Sequence, residues 1–127
     1  MSGIAGEIAY NRTADLAAVV TMTEQLAPRG PDGQGVWSHD AIALGHRRLA
    51  LIDPSAAAAQ PMHHVDHGLS IVLDGSIYNH HELRDELAAK GHRFTSTGDT
   101  EVIARGWLEW GEAVFERLQG IFACAIA

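Results

Sequence analysis

Few side chains in this chain have the type and spacing that chemistry needs. His63, His64 and His67 crowd together with Asp66, and imidazoles beside a carboxylate are metal ligands. No cysteine accompanies them and their spacing has no ligand order, so they read as solvated loop residues and no metal is expected. Cys124, the single cysteine, lies in the apolar run 120–127 and reads as a small buried hydrophobe. Taken alone, Asp74-Gly75 is a hairpin turn signal, Asp99 a helix N-cap, and Arg47-Arg48 a pair of strand cations. Nothing has the form of a phosphate-binding loop, so ATP chemistry and cofactors are not expected from this chain.

A different reading comes from short strings in a fixed order. Ser2-Gly3-Ile4-Ala5-Gly6 opens the chain, followed by Arg29-Gly30-Pro31-Asp32, Gly45-His46-Arg47-Arg48-Leu49, Ile52-Asp53 and Gln60-Pro61-Met62. Asp74-Gly75-Ser76-Ile77-Tyr78-Asn79, Glu82-Leu83-Arg84, Asp99-Thr100-Glu101-Val102 and Leu118-Gln119-Gly120-Ile121-Phe122-Ala123 complete the series. Each string is weak by itself. Together, from residue 2 to the end, they resemble the glutaminase domain of asparagine synthetase-type class II glutamine amidotransferases. The resemblance implies an Ntn-hydrolase sandwich, an α+β fold of two antiparallel sheets between helical layers.

The resemblance also implies a mechanism. In the family the initiator Met is removed, and the next residue supplies both a nucleophile and a free α-amine. That amine titrates near ~7.7–8.0, which makes it a general base at neutral pH. The family's nucleophile is cysteine, which forms a thioester from the glutamine amide; ammonia leaves and water then releases glutamate. This chain carries Ser2 instead. With Met1 retained, Ser2 has no free amine and the mechanism cannot run, so Ser2 is expected to be inert.

The oxyanion site is the second departure. The family places Asn-Gly where this chain has Asp74-Gly75. An ionised Asp only accepts hydrogen bonds, and losing one oxyanion donor costs on the order of 10²–10³ in rate. Ser76 replaces the usual Glu and carries no charge. Arg48 aligns with the arginine that holds the glutamine carboxylate, a task suited to a bidentate guanidinium; Arg47 takes its place if the register slips. Leu49 and Ile52 fall in matched strings as substrate-binding positions. Asp99 aligns with the carboxylate that binds the substrate ammonium. The recognition ends are kept and the reacting centre is changed. A glutamine pocket with impaired hydrolysis is therefore expected. The alternatives are a non-catalytic interaction or regulatory module, or a serine Ntn hydrolase acting on another amide.

The elements that must position these residues are legible from periodicity. Apolar residues at 4, 5 and 8 predict a buried strand at the amino end. Leu16, Val19, Val20, Met22, Thr23 and Leu26 recur at three and four, predicting a helix over 15–26 with Thr13 as its cap. Strands are predicted at 35–38 and 41–51, at 69–73 ending on Asp74-Gly75, and at 92–94. Helices are predicted over 80–90, stopped by Gly91, and from Thr97 or Asp99, where Thr97-Thr100-Glu101 suggests a capping box. Trp107 and Trp110 read as core, and Glu82, Arg84, Asp85 and Glu86 as a solvated helix face.

The whole chain is consistent with one domain: 127 residues, 46% hydrophobic and 20% charged. A net charge of −7 with no basic patch argues against nucleic acid or an anionic membrane. One cysteine, no apolar stretch of spanning length and no signal-peptide pattern point to the cytoplasm. Domains of the resembled kind continue with further strands and an ATP-dependent synthetase domain, so the sequence reads as a partial domain. The expected partners are glutamine, a synthetase domain or subunit, and a second copy paired through the carboxy-terminal strand edge.

Overall fold

Long apolar runs broken by glycine give strands here, and three-four periodicity gives the helices between them. The computed structural model describes the backbone of residues 1–127 and every side chain but that of Val65. One antiparallel sheet contains β1 (Gly3–Ile8), β2 (Gly33–His39) and β3 (Ile42–Arg48), in the order β1-β3-β2. The other contains β4 (Met62–His64), β5 (Leu69–Ile77) and β6 (Gly120–Ile126), in the order β4-β5-β6. Helix α1 (Leu16–Gln25) covers the first sheet. Helix α3 (Asp99–Trp110) packs on the second, α2 (His80–Ala89) lies against α3, and the short α4 (Val114–Arg117) leads into β6. β1 and β3 meet β5 between the layers, so the order is helix, sheet, sheet, helices: the expected α+β sandwich.

This layering explains why residues 69–73 show no alternation. All five are buried, because β5 is covered on both faces. Ile71, Leu73 and Ile77 pack with Ile103 of α3, while Leu83 and Leu87 of α2 close on Val102. Each such side chain contributes about 1.5–3 kcal/mol when fully buried. On the first sheet, Val19 packs on Ala43. Gly45 lets α1 approach closely, since a Cβ there would overlap the Thr23 hydroxyl.

Several local expectations are corrected. Asp15, not Thr13, caps α1; its carboxylate accepts the Ala18 N–H at 3.1 Å. β3 ends at Arg48, short of residue 51. Asp74-Gly75 is not a turn: β5 runs through it, with Asp74 opposite Ala123 and Gly75 opposite Phe122. Gly75 takes φ +125°, and a Cβ would run into the Ile121 carbonyl, so glycine is required by the strand rather than by a hairpin. Residues 92–94 form no strand; His92 Nε2 instead meets Glu109 Oε2 at 2.9 Å, and Arg84 lies over the Phe94 ring at 4.4 Å. Gly98 is the N-cap of α3 and no side chain caps it. Glu101 turns back to accept N–H groups from Thr95 and Ser96 at 3.0 and 2.7 Å. Among the described residues no helix is long and apolar enough to cross a membrane.

Candidate functional site

The pairing of β1 with β3 starts at Gly3 opposite Arg47, which sets Ser2 beside the end of β3. There the Leu49 N–H donates to Ser2 Oγ at 3.0 Å. Arg29 sits behind this contact. Its Nε donates to the Ser2 carbonyl at 2.9 Å and its Nη2 to Asp74 Oδ2 at 3.0 Å. One guanidinium thus ties the amino end to β5. The turn that carries it is fitted to β3: a Cβ at Gly30 would overlap the Arg47 backbone. Asp32 holds the other side, donating its N–H to the Arg48 carbonyl and accepting the Ala50 N–H, both at 2.9 Å.

The β5 backbone supplies a donor. In an antiparallel pair, alternate residues bond to the partner strand and the rest turn their N–H away. Ser70 exchanges both bonds with Ala127, and Tyr78 donates to Gln119. The even-numbered positions therefore face β6 and the odd ones face away from it. The Leu73 N–H is taken by Gln60 Oε1 at 2.6 Å, and the Ile77 N–H by Asp99 Oδ2 at 2.9 Å. Gly75 lies between these two and lines the cleft. By the same alternation its N–H faces away from β6.

Ser2, Arg48, Leu49, Ile52, Gly75, Ser76 and Asp99 all line this one cleft, together with Met1. Asp74 is not part of its wall. One carboxylate oxygen holds Arg29 and the other, Oδ1, is enclosed without a partner. Of the two arginines, Arg48 reaches the cleft. Its Nη2 donates to the carbonyls of Asp53 and Ser55, the latter at 2.8 Å, leaving the rest of the guanidinium fork without a hydrogen bond among the described residues. Arg47 turns away, donating to the Gly30 carbonyl at 2.9 Å and to Gln34 Oε1 at 2.7 Å. Asp99 is buried, and with one oxygen spent on Ile77 the other is left for the cleft. With Met1 in place the cleft encloses about 60 Å³.

Three residues that the strings contained, but to which the sequence reading gave no role, hold the walls together. The Asp53 carboxylate accepts the Ser55 N–H at 2.8 Å and the Thr97 N–H at 2.7 Å, joining the loop after β3 to the start of α3. The Ser55 side chain, then the Thr97 and Ser55 N–H groups, hold its pKa well below the ordinary carboxylate range. Gln60 joins β5 to α3, accepting from Leu73 and donating to Thr100 Oγ1 at 3.0 Å. Arg29 is the third. A further correction concerns Arg84, expected on a solvated face: it donates to the carbonyls of Ser96 and Gly98 at 2.8 and 2.6 Å, clamping the loop before Asp99. His80, at the start of α2, is buried, and burial pushes its pKa down. Cys124 packs against the β5–α3 core, and burial pushes its thiol pKa up. Among the described residues no group of three His, Cys, Asp or Glu is arranged to hold a metal.

A family model described as a glutamine amidotransferase domain matches residues 1–127. The chain is 38% identical to a glutamine-hydrolyzing asparagine synthetase 3 of Bacillus subtilis, over 99% of this chain and 21% of that protein. It is 36% identical to asparagine synthetase 2 of Oryza sativa, over 87% of this chain and 18% of that protein. It is 42% identical to the asparagine synthetase of Sandersonia aurantiaca, over 83% and 19%. The chain therefore spans about a fifth of the length of these relatives. Among solved structures, glutamine phosphoribosylpyrophosphate amidotransferase from B. subtilis superposes with a TM-score of 0.81 at 18% identity, covering 100% of this chain and 35% of that one. That likeness is one of fold.

Proposed function

The chain belongs to the class II glutamine amidotransferase family, of asparagine synthetase type, and on that premise we propose that its cleft binds glutamine by the amino-acid end and turns the amide over slowly or not at all. The observation that carries this reading is the convergence of Ser2, Arg48, Gly75, Ser76 and Asp99, far apart in sequence, on one cleft. Arg48 takes the α-carboxylate through its free N–H groups. Asp99 takes the α-ammonium, with Ser76 accepting a further hydrogen bond. Leu49 and Ile52 line the cleft around the bound amino acid. The Gly75 N–H faces the amide oxygen, and Ser2 stands where the nucleophile attacks.

Two features mute the chemistry. While Met1 remains, the Ser2 nitrogen is an amide with no basic lone pair, and Met1 takes up space in the cleft. Asp74 gives the developing oxyanion no donor, because its carboxylate is committed to Arg29. In the intact family the released ammonia feeds an amidation. The asparagine synthetases among the relatives support an ATP-dependent synthetase domain or subunit as the partner of this one.

Calorimetry with glutamine, on chain whose Met1 status is fixed by intact mass, tests the reading. Chain without Met1 is expected to bind glutamine and chain with Met1 to bind more weakly. Arg48→Ala is expected to lose about tenfold or more in affinity, the worth of a charge-assisted hydrogen bond. No heat and no thermal shift with folded, processed chain would leave the fold as a non-catalytic interaction or regulatory module.

A further inference from the structure

β6 is the last strand of its sheet, and β5 is its one neighbour among the described residues. Ser70 and Ala127 exchange both their hydrogen bonds, so the odd-numbered positions of β6 pair with β5 and the even-numbered ones turn outward. The N–H and C=O groups of Phe122, Cys124 and Ile126 therefore point away from the sheet. Strand edges of this kind are commonly guarded by lysine, proline or a bulge. Gly120–Ile126 holds no charged residue and no proline, and its pairing with β5 keeps an unbroken register.

A groove of about 410 Å³ adjoins this edge, between β1, β3 and the end of β6. Gly6, Ile8, Ile42, Leu44 and Ala125 give it apolar walls. Glu7 borders it too, but its carboxylate is engaged, accepting from Arg12 at 2.6 Å and from the Asp15 N–H at 3.2 Å. Side chains alternate along β6. Phe122, Cys124 and Ile126 pack in one cluster with Trp107 and Leu108 of α3, so Ile121, Ala123 and Ala125 lie on the groove side. There Ile121 is 71% exposed, and Ile8 across the groove is 64% exposed. Apolar side chains flanking an unpaired strand edge mark a surface for another chain.

A strand laid along β6 would meet apolar surface on both of its faces. It must therefore be apolar at consecutive positions and uncharged, where a half-buried strand would alternate. Gly120–Ile126 has that composition itself, and it carries a free edge. We propose that a second copy of the chain docks here, β6 against β6 and antiparallel, about a twofold axis that makes the contact self-complementary. Main-chain hydrogen bonds from the even-numbered positions join the two sheets into one. With the axis at Ala123, Phe122 pairs with the partner's Cys124. Ile121 then lies opposite the partner's Ala125, beside the partner's groove. The interface does not rest on the glutamine reading, since none of the groove residues lines the Ser2 cleft.

Sedimentation velocity over a wide range of chain concentration, with amide hydrogen exchange on the same samples, tests the interface. A reversible monomer–dimer equilibrium is expected. In the dimer the Phe122, Cys124 and Ile126 amides become protected, whereas those of Ile121, Ala123 and Ala125 are protected in monomer and dimer alike. Ile121→Lys and, on the other wall, Ile8→Lys change side chains exposed in the monomer, so both variants are expected to fold. Each is expected to weaken dimerisation about tenfold or more. A monomer at every concentration overturns the proposal and leaves the edge to a strand of another protein. A dimer in which the even-numbered amides still exchange freely, or one that both folded variants form as tightly as the parent, overturns it as well.

Discussion

At the scale of single residues, the proposed reacting centre is bound up with a charge pair. Asp74 is not a bare negative charge beside the proposed oxyanion position; it is the counter-ion of Arg29, which also holds the Ser2 carbonyl. Asparagine at 74 would keep the shape, return an N–H donor and release part of the Arg29 guanidinium. The expected outcome is measured as ammonia release from chain lacking Met1. Ser2→Cys alone supplies a better nucleophile and gives slow glutaminase activity. Adding Asp74→Asn raises kcat by about 10²-fold and moves the glutamine KM little, because Arg48 and Asp99 are untouched. A folded double variant no faster than Ser2→Cys alone would show that Asp74 does not limit the rate.

At the scale of elements, the sandwich and the helices over residues 16–25 and 80–89 were legible, because periodicity and ordered strings report burial directly; of the expected site residues, Ser2, Arg48, Leu49, Ile52, Gly75, Ser76 and Asp99 line one cleft and Asp74 does not. What was not legible depends on partners distant in sequence. Arg84 carries a surface-like sequence signature, yet it clamps the carbonyls of Ser96 and Gly98. Asp74-Gly75 has the composition of a hairpin, yet its neighbour β6 lies more than forty residues on and keeps it extended. Glu101 fits a capping pattern locally, but the backbone of Thr95 and Ser96 competes for it. These long-range ties make specific changes costly. Gly75→Ala forces a Cβ at φ +125° against the Ile121 carbonyl and is expected to cost about 1–3 kcal/mol by urea denaturation. Arg84→Ala frees the loop before Asp99; a loss of about 1–3 kcal/mol with weaker glutamine binding is expected, and unchanged glutamine affinity would separate the clamp from the site. Asp53 works on the same loop. Its depressed folded pKa makes its contribution full above the unfolded value near ~3.9. That contribution fades as pH falls below it, so Asp53→Asn is expected to flatten the acid limb of the stability curve.

At the scale of the whole molecule, the two sheets are joined across their interface by His46 of β3, whose Nε2 lies 3.0 Å from the Leu73 carbonyl of β5. The ring is buried, and burial holds its pKa below the ordinary value against the opposing pull of that carbonyl. With the neutral ring donating Nε2–H to Leu73, the other nitrogen is left enclosed and unpartnered, so protonation adds a charge and a donor with nowhere to go. The sign follows from linkage. Below about pH 6.5 the unfolded chain binds a proton that folded His46 resists, so stability is full above that value and is lost as pH falls toward the folded pKa. His64 and His80, also depressed by burial, act in the same direction. One such group gives a slope of at most about 1.36 kcal/mol per pH unit. Urea titrations from about pH 8 to about pH 5 are therefore expected to show falling stability on the acid side. In His46→Gln the chain should lose about 1–3 kcal/mol at the high end and part of the acid slope. If the variant keeps the full slope, the proton that destabilises the fold enters elsewhere, and the contact between the sheets is not the pH-sensitive joint of the molecule.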